Sequence, residues 1–342
     1  MSIKNHGWAH GAYGCVLCVL LAAYAQAQHS ESTIGRIVTD NARVSMDAAV
    51  RSVWGRDDYA QYVVGLDYHK IWSVNQRDIG VLTIQPYVVN FAGKMATPYF
   101  FDGRDTELTW RITNFNYMML PSGALRIRVG HFEIPFGLEQ NADTNGTLRQ
   151  YSASADRGIK ADWGGTINGV LPHWEYEFAL SRGSGNDISS RDNPLVLSGR
   201  IGSASHRNWI VGGSFFEGRV QTSTSAIRRK RIGVDASYYY RHWGILGEAS
   251  YGDDAGFRRE HYLIEFSWRN ALESIQLYSQ YHVQNKERSM VNIKNQSQRL
   301  TIGVEWALGR RFSINAQWWE PTNTAASVNP PSEFAAQLRY RL

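Results

Sequence analysis

The stretch Arg126–Glu139, RIRVGHFEIPFGLE, begins as a regular β-strand and then loses its pattern. Its first part alternates between basic side chains and an apolar face formed by Leu125, Ile127 and Val129. A period of two is what a pleated strand produces, so Arg126 and Arg128 are expected to share the opposite face. Pro135 cannot donate to a sheet ladder, so the strand is expected to end near it. The residues that follow, to about Asp156, are polar and have no apolar period. We therefore predict a barrel strand that delivers a long loop to the mouth or lumen of a pore.

Alternating segments recur from about Arg43 to the C-terminal Leu342, and we count about sixteen of them, each of about ten residues. The short connections between them are VNQRD, PSG, LPH, RHWG, RNALE and LGRR, and the long ones include Gly183–Pro194, Gly218–Arg229, Asn285–Gln296 and Glu320–Ser332. Short periplasmic turns that alternate with longer external loops are typical of outer-membrane barrels, and two soluble sandwiches would not be expected to alternate so. The predicted fold class is all-β, a transmembrane antiparallel β-barrel of about 16 strands with an inward-folding loop after strand 5.

Three of these segments carry more detailed predictions. Pro86 lies inside the third segment and argues for a local bulge, because it has no N–H to pair. In the fourth segment one apolar face holds Leu108, Trp110 and Ile112, and the phase then shifts to Phe115 and Tyr117. Such a shift also suggests a bulge. In the sixth segment the predicted outward side chains are Ile159, Ala161, Trp163 and Ile167.

The N-terminus has the composition of an export signal. One basic residue, Lys4, precedes an apolar centre from Tyr13 to Ala23, and Ala25-Gln26-Ala27 fits a cleavage site. A membrane anchor is the alternative, but the apolar centre is shorter than the roughly 20 residues that a spanning helix needs. The predicted organisation is a signal peptide over 1–27, a periplasmic lead over 28–42 and the barrel over 43–342. Both cysteines, Cys15 and Cys18, fall in the signal, so the mature chain offers no disulfide and no thiolate metal site.

Composition narrows the class of partner. The 12 Trp, 18 Tyr and 13 Phe fit the aromatic girdles of a barrel in lipid. Removing Lys4 with the signal lowers the formal net charge from +5 to +4, which is mild. The basic cluster Arg228-Arg229-Lys230-Arg231 is expected to be a solvated loop or a patch facing lipopolysaccharide, and no tract is long enough to suggest nucleic acid.

The stretch Gly130–Glu139, GHFEIPFGLE, resembles the G-x-F-x-x-P-F-G-L-E signature of the phosphate-selective porin O/P family. Asp156-Arg157-Gly158 and Tyr176–Gly185 resemble later motifs of that family more loosely. The last strand, with Phe334 and Leu338, is similar to the C-terminal assembly signal of outer-membrane barrels, although Leu342 stands where an aromatic is usual. The resemblance implies an integral outer-membrane porin, trimeric, in contact with lipid and lipopolysaccharide, that passes small anionic or polar solutes such as phosphate.

Two sets of residues are the candidate functional site. The first is a basic, anion-binding pore lining formed by Arg111, Arg126, Arg128, Lys160, Arg339 and Arg341. The second is a constriction loop that contains Glu133, Pro135, Phe136, Gly137, Glu139 and Asp143. Rings of arginine and lysine select anions in pores. We place the Arg126–Arg128 pair near mid-barrel, in a basic wall that faces the acids of the loop. The alternative is a lumen of hydrated, mutually paired charges, and the near balance in sign predicts weak selectivity.

Two other function classes remain open. A non-conducting structural or adhesion barrel would have the same strand pattern. A barrel-embedded hydrolase would need a Ser and a His on adjacent lipid-facing positions, and the spacing around His131 and His261 suggests no such pair. We therefore predict no enzymatic activity. No His, Asp or Glu spacing suggests a metal site, and no cofactor is expected.

Overall fold

A computed structural model of the chain describes residues 40–55, 58–93, 103–142, 144–152, 156–188, 192–288, 293–324 and 331–342. Of residues 288, 293, 294 and 324 it describes the backbone alone. The predicted signal over 1–27 and most of the predicted lead over 28–42 lie outside these ranges. No helix among the described residues is long and apolar enough to cross a membrane.

Within these described ranges, sixteen antiparallel strands form a closed transmembrane barrel, as the alternation predicted. They are β1 (Ala42–Trp54), β2 (Tyr59–Val74), β3 (Arg77–Gly93), β4 (Thr106–Met118), β5 (Arg126–Glu133), β6 (Ala161–Val170), β7 (Trp174–Ser181), β8 (Val196–Ser203), β9 (Trp209–Gln221), β10 (Ala226–Tyr240), β11 (Trp243–Asp254), β12 (Phe257–Arg269), β13 (Ile275–Arg288), β14 (Ile293–Leu308), β15 (Phe312–Thr324) and β16 (Glu333–Arg341). Each strand pairs with its neighbour in sequence, and β1 closes the barrel on β16 with Val50 opposite Leu338. Closure leaves no unpaired edge strand, which a lipid environment requires.

The barrel wall is apolar outside and polar inside. On β10, for example, the exposed side chains are Ile232, Val234 and Tyr238, and the buried ones are Arg231, Asp235 and Ser237. A charged side chain on the lipid face would cost about 2–4 kcal/mol at the midplane, so the alternation fixes which face turns inward. The end with short turns also holds the C-terminus, where Leu342 N bonds to Met46 O at 2.9 Å. By the rule for this class, that end is periplasmic.

Several external connections are shorter than the sequence suggests. β9 reaches Gln221 and β10 starts at Ala226, so the predicted loop Gly218–Arg229 is wrong and only residues 222–225 link the strands. The connection predicted over Asn285–Gln296 shrinks in the same way, because β13 runs to Arg288 and β14 starts at Ile293. Beyond the lipid both faces of a strand meet water, so the hydrophobic alternation disappears while the backbone ladder continues.

The predicted irregularities in β3 and β4 are a single feature. The β3–β4 register shifts between Ile84 and Pro86, which confirms a bulge at that proline. On β4 the change of phase comes before Ile112, which lines an interior cavity beside Asn114. The face predicted to hold Ile112 therefore ends before that residue, because the bulge turns its side chain to the lumen. The outward placement of Ile159 was also wrong: it precedes β6 and is buried in an interior cluster.

Candidate functional site in the barrel lumen

The segment from Ile134 to Lys160 leaves the wall after β5 and crosses the barrel interior; we call it the crossing loop. It begins with the Ile134-Pro135-Phe136-Gly137 turn predicted to end the strand. Gly137 has φ +65°, and a Cβ at this position would overlap the carboxylate of Glu248 on β11. Only glycine adopts such a backbone conformation without strain and permits this close approach. The local sequence therefore turns the chain inward, across to β11.

An apolar cluster holds the start of the crossing loop against the far wall. Its buried members are Ile134, Phe136, Ile159, Val196, Phe216 and Val220. Phe136 is completely buried, and the guanidinium of Arg157 lies over its ring at 4.4 Å from the centroid. Burying a phenylalanine is worth roughly 1.5–3 kcal/mol by transfer, and the cation–π contact adds to this. The loop is thus packed onto β8 and β9 and is not suspended in the centre of the lumen.

Directly after Phe136, backbone N–H groups of the crossing loop donate hydrogen bonds to side chains of the wall. The residues Gly137–Gln140 form a 3₁₀ helix. Gly137 N donates to Ser214 Oγ at 3.0 Å, and Leu138 N donates to Glu248 Oε2 at 2.8 Å. The wall therefore satisfies N–H groups at the helix start that have no partner within the helix.

Buried ion pairs anchor the second half of the crossing loop. Arg149 Nη1 lies 3.1 Å from Glu265 Oε1 on β12. Asp156 Oδ1 accepts from Arg231 Nε of β10 at 2.7 Å, and its Oδ2 accepts from Ser250 Oγ at 2.7 Å. Burial alone would raise the pKa of Asp156, but the charges of Arg231 and Arg157 outweigh it and lower that pKa below its usual value. Asp156 is therefore ionised at neutral pH and acts as a charged anchor.

The same loop also reaches the opposite wall. Its backbone carbonyls at Asn145, Gly146 and Thr147 accept hydrogen bonds at 3.2, 2.6 and 3.1 Å from Arg339, Gln337 and Arg51 of β16 and β1. Because β1 and β16 lie across the barrel from β10 and β11, the crossing loop divides the lumen.

Two adjoining cavities lie beside the crossing loop, toward β1–β5 and β16. One cavity of about 380 Å³ is lined by Asp47, Tyr87, Arg111, Glu133, Lys160 and Arg339, among others. A second, of about 390 Å³, is lined by Asn114, Arg128, Glu133 and Gln140 with their neighbours. Glu133 lines both, so the two cavities adjoin at the end of β5. The opposite side of the loop is occupied by the apolar cluster.

Solved structures with a similar barrel include OmpF of Salmonella typhi in complex with daunomycin, with a TM-score of 0.65 at 8% identity over 88% of this chain and 97% of that one. A loop L8 deletion mutant of OmpT, an outer membrane protein of Vibrio cholerae, gives 0.61 at 10% identity over 89% and 100%. An anion-selective porin from Comamonas acidovorans gives 0.55 at 12% identity over 88% and 99%. The fold is that of an outer-membrane porin. No family model and no curated protein matches the chain. The more specific resemblance to the phosphate-selective O/P family stays a prediction.

The predicted basic residues of this porin fold lie in the interior, but they do not form one wall. Arg111 Nη1 donates to the hydroxyl of Tyr87 at 3.1 Å, beside the 380 Å³ cavity. Lys160 Nζ lies 3.5 Å from Glu133 Oε1 and donates to Thr144 Oγ1 at 2.7 Å. These residues line the 380 Å³ cavity, in the middle and external part of the barrel.

The other basic residues lie toward the periplasmic end. Arg126 is the first residue of β5. The Arg126–Arg128 pair therefore lies nearer the periplasmic end than the mid-barrel position that was expected for it. Arg128 pairs with Glu177 at 3.0 Å. The two C-terminal arginines are also paired: Arg339 Nε donates to Asp47 Oδ1 at 2.8 Å, and Arg341 Nη2 lies 2.6 Å from Asp67 Oδ2. Among the described residues, Arg126 has no carboxylate partner.

The predicted residues of the constriction loop separate into different roles. Glu133 lines the two adjoining cavities, whereas Phe136 and Gly137 contact the far wall. Glu139 is buried 3.5 Å from Arg157, so it does not face the basic residues as expected. Pro135 lies in the turn that opens the loop, and Asp143 lies outside the described residues.

Some contributors to this site were missed by the sequence reasoning. Arg231 was expected in a solvated patch, but it is buried and anchors Asp156, because its neighbour Ile232 faces outward. The sequence reasoning also missed Tyr87. Its hydroxyl oxygen lies 2.9 Å from Asp67 Oδ1 and 3.1 Å from Asp47 Oδ2. The strand alternation of the sequence already placed Arg231 inward. Applied to the basic cluster, this alternation would have predicted that Arg231 lies in the lumen and not in a solvated patch.

The wall next to β5 is completed by a different loop. The β4–β5 ladder covers only Thr113–Met118 of β4, because the chain turns into the lumen after β5. The external part of β4 is therefore not paired with β5. Beyond that point Asn186, in the β7–β8 connection, accepts from Trp110 N at 2.6 Å and donates to Leu108 O at 3.3 Å. Trp163 Nε1 of β6 donates to Asn186 O at 3.1 Å. Asn186 thus bridges β4 and β6 across the place that β5 leaves.

A Ser and a His do lie side by side on the inner face. Ser250 of β11 is opposite His261 of β12. The Ser250 hydroxyl donates to Asp156, however, and within the described part of the chain neither ring nitrogen of His261 has a hydrogen-bond partner. A nucleophile needs a hydrogen bond to its base, so this pair lacks the arrangement that nucleophilic catalysis requires.

Proposed function

We propose that this protein is an outer-membrane porin that forms a water-filled channel for passive uptake of small polar solutes, with a weak preference for anions. The observation that carries the proposal is the crossing loop. It is fixed to β8–β12, and it leaves adjoining cavities of about 380 and 390 Å³, lined in part by charged side chains, beside the opposite wall. A barrel used only as an anchor has no need of such cavities beside a rigid internal loop.

The charges support a weak preference for anions. Arg128, Arg339 and Arg341 each have an acidic partner, so their fields are largely cancelled. Arg126 has no acidic partner among the described residues, so it leaves the periplasmic part of the lumen slightly positive. The similarity of the barrel to an anion-selective porin from Comamonas acidovorans is in line with this preference. Phosphate is one candidate solute of suitable charge.

The remaining parts of the proposal concern export, membrane contact and assembly, and they are those expected of an outer-membrane porin. We propose export by a cleaved signal over 1–27, contact with outer-membrane lipid and lipopolysaccharide, and assembly as a homotrimer. A trimer form of OmpT from Vibrio cholerae is among the structures with a similar barrel, which supports the oligomeric state. The migration of the unboiled protein on SDS gels, compared with the boiled form, tests both the barrel and the trimer.

Planar-bilayer recording is the deciding experiment. The wild-type protein is expected to conduct, and Arg126→Gln is expected to shift the reversal potential toward cations, with a larger shift for Arg126→Gln combined with Arg128→Gln. The shift should be largest at low salt, because the Debye length is about 30 Å at 0.01 M and about 10 Å at 0.1 M. The matched control is Arg310→Gln, in an exposed turn. Absence of conductance would favour the non-conducting barrel. An equal shift of the reversal potential in the control would show that Arg126 does not determine the ion selectivity.

A further inference from the structure

The outer face of the barrel carries a belt of aromatic side chains at its periplasmic end. On β9–β12 the ladders place Trp209 opposite Tyr238, and they place Trp243 opposite both Tyr240 and Trp268. Tyr240 and Trp243 are more than half exposed, so this belt faces the membrane. Aromatic girdles of this kind mark the level at which the lipid tails of a bilayer meet the headgroups. The turns just beyond the belt therefore lie at the level of the headgroups of the periplasmic leaflet.

Five arginines lie immediately beyond this belt, within or next to the four turns that join β8 to β9, β10 to β11, β12 to β13 and β14 to β15. We call them the periplasmic arginine arc, and they are Arg207, Arg241, Arg269, Arg310 and Arg311. The Arg207 guanidinium lies over the Trp209 ring, 5.3 Å from its centroid. Arg241 lies over Tyr240 at the same distance. Such stacking uses the flat face of a guanidinium and leaves its N–H edge free to bind an anion.

The described part of the chain does not neutralise the charge of the arc. The four turns contain one acidic residue, Glu273, and none of the five arginines forms an ion pair with a described residue. Arg207 Nη2 contacts His173 Nδ1 at 2.9 Å, and Arg269 Nε donates to Gln276 Oε1 at 3.0 Å. These neutral partners leave the positive charges in place, so the rim is basic.

The external ends of the same strands differ in this respect. Arg228 of β10 lies 2.8 Å from Glu217, and Arg258 of β12 lies 3.1 Å from Glu260. Arg258 also stacks on an aromatic ring, that of Tyr251, 5.1 Å from its centroid. A stacked arginine at the external end therefore has its counter-charge within the chain, whereas the stacked arginines of the arc have none among the described residues.

We propose that the periplasmic arginine arc is a docking surface for anionic phospholipids of the periplasmic leaflet. A guanidinium matches two oxygens of a phosphodiester, and a row of unpaired arginines favours headgroups that carry no compensating amine. An anionic lipid surface attracts each basic residue that lies near it, so the attraction increases along the arc. Lipids bound in this way fix the depth of the rim in the leaflet. The inference rests on the proposed function for the location in the outer membrane and not for conductance.

Native mass spectrometry of the purified full-length barrel tests the surface, because it counts bound lipids directly. The barrel in detergent is mixed with equal amounts of phosphatidylglycerol and phosphatidylcholine that carry the same acyl chains. Wild type is expected to retain phosphatidylglycerol about tenfold or more in preference. Arg207→Gln combined with Arg241→Gln should lower this preference about fivefold or more, which corresponds to roughly 1 kcal/mol for each arginine removed from a bound lipid.

The matched control is Arg228→Gln combined with Arg258→Gln, at the external ends of β10 and β12. It removes two charges and one stacked guanidinium, but from arginines that already have acidic partners. We expect it to prefer phosphatidylglycerol as wild type does. Arg207→Lys combined with Arg241→Lys keeps both charges of the arc and should stay within about threefold of wild type.

Each alternative result has a clear meaning once heat-modifiable migration has established that the variants are folded. Equal retention of the two lipids by wild type, or an equal loss of preference in the control and in the glutamine variant of the arc, overturns the docking surface. A loss in the lysine variant as large as that in the glutamine variant also overturns it, because charge would then not carry the preference. If wild type has no lipid preference but binds polyglutamate through Arg207 and Arg241, the arc serves an acidic protein and the lipid proposal is wrong. Lipid preference without conductance refutes the proposed pore alone, and conductance without lipid preference refutes the arc alone.

Discussion

Phe136 is the side chain through which the crossing loop can be loosened most selectively. Replacing it with alanine removes a fully buried ring from the cluster against β8 and β9, together with its contact to Arg157. The barrel ladder is untouched, because Phe136 follows β5 and belongs to no strand. We therefore expect Phe136→Ala to fold as a barrel and to release the start of the loop.

The size of the effect follows from burial. Truncation of a buried phenylalanine typically costs about 3–5 kcal/mol. At about 1.4 kcal/mol per factor of ten, the population with the loop start detached should rise about 10²- to 4 × 10³-fold. The ion pairs of Arg149 and Asp156 remain, so the increase should be confined to the segment near Ile134–Gln140.

Hydrogen exchange followed by mass spectrometry measures this opening directly. The amide of Leu138, which donates to Glu248, should exchange faster by a similar factor. In planar bilayers the mean conductance and the open-channel noise should both increase. Phe115→Ala is the matched control, because Phe115 is an exposed phenylalanine on the outer face of β4. If exchange near Leu138 stays at the wild-type rate in a folded Phe136→Ala barrel, the cluster is not what holds the loop.

Two further predictions concern other contacts of the barrel interior. Asp156 has a pKa below its ordinary 3.8, so its contribution to docking of the loop is complete above about pH 4 and is lost as the pH falls through the lowered value. Open-channel noise in wild type should therefore rise as the pH falls below about 4, whereas Asp156→Asn should be noisier already at neutral pH and lack this rise. Asn186→Ala leaves Trp110 N without its acceptor, at about 1–3 kcal/mol, so amides near Trp110 should exchange faster while those of β10 do not. Unchanged exchange at Trp110 would mean that Asn186 does not hold β4 to β6.

The strand pattern could be predicted because it depends on neighbouring residues. A strand in a lipid-facing wall must alternate, and the sixteen strands were found from that period, with errors where the strands extend into water. The start of the crossing loop was also predictable, since a proline that cannot pair and a glycine lie together in Pro135-Phe136-Gly137. Inward-facing charge followed from the same alternation.

The amino-acid sequence by itself thus determined the barrel, the inward faces of its strands and the point at which one loop turns into the lumen. The tertiary structure decided which wall the loop packs against and which charge meets which. Arg149 pairs with Glu265, and Arg339 with Asp47 across the β1–β16 closure. Such partners are brought together by barrel closure and by the path of the loop. Alternation is local and fixes the side to which a side chain points, but it carries no information about what stands opposite across the lumen.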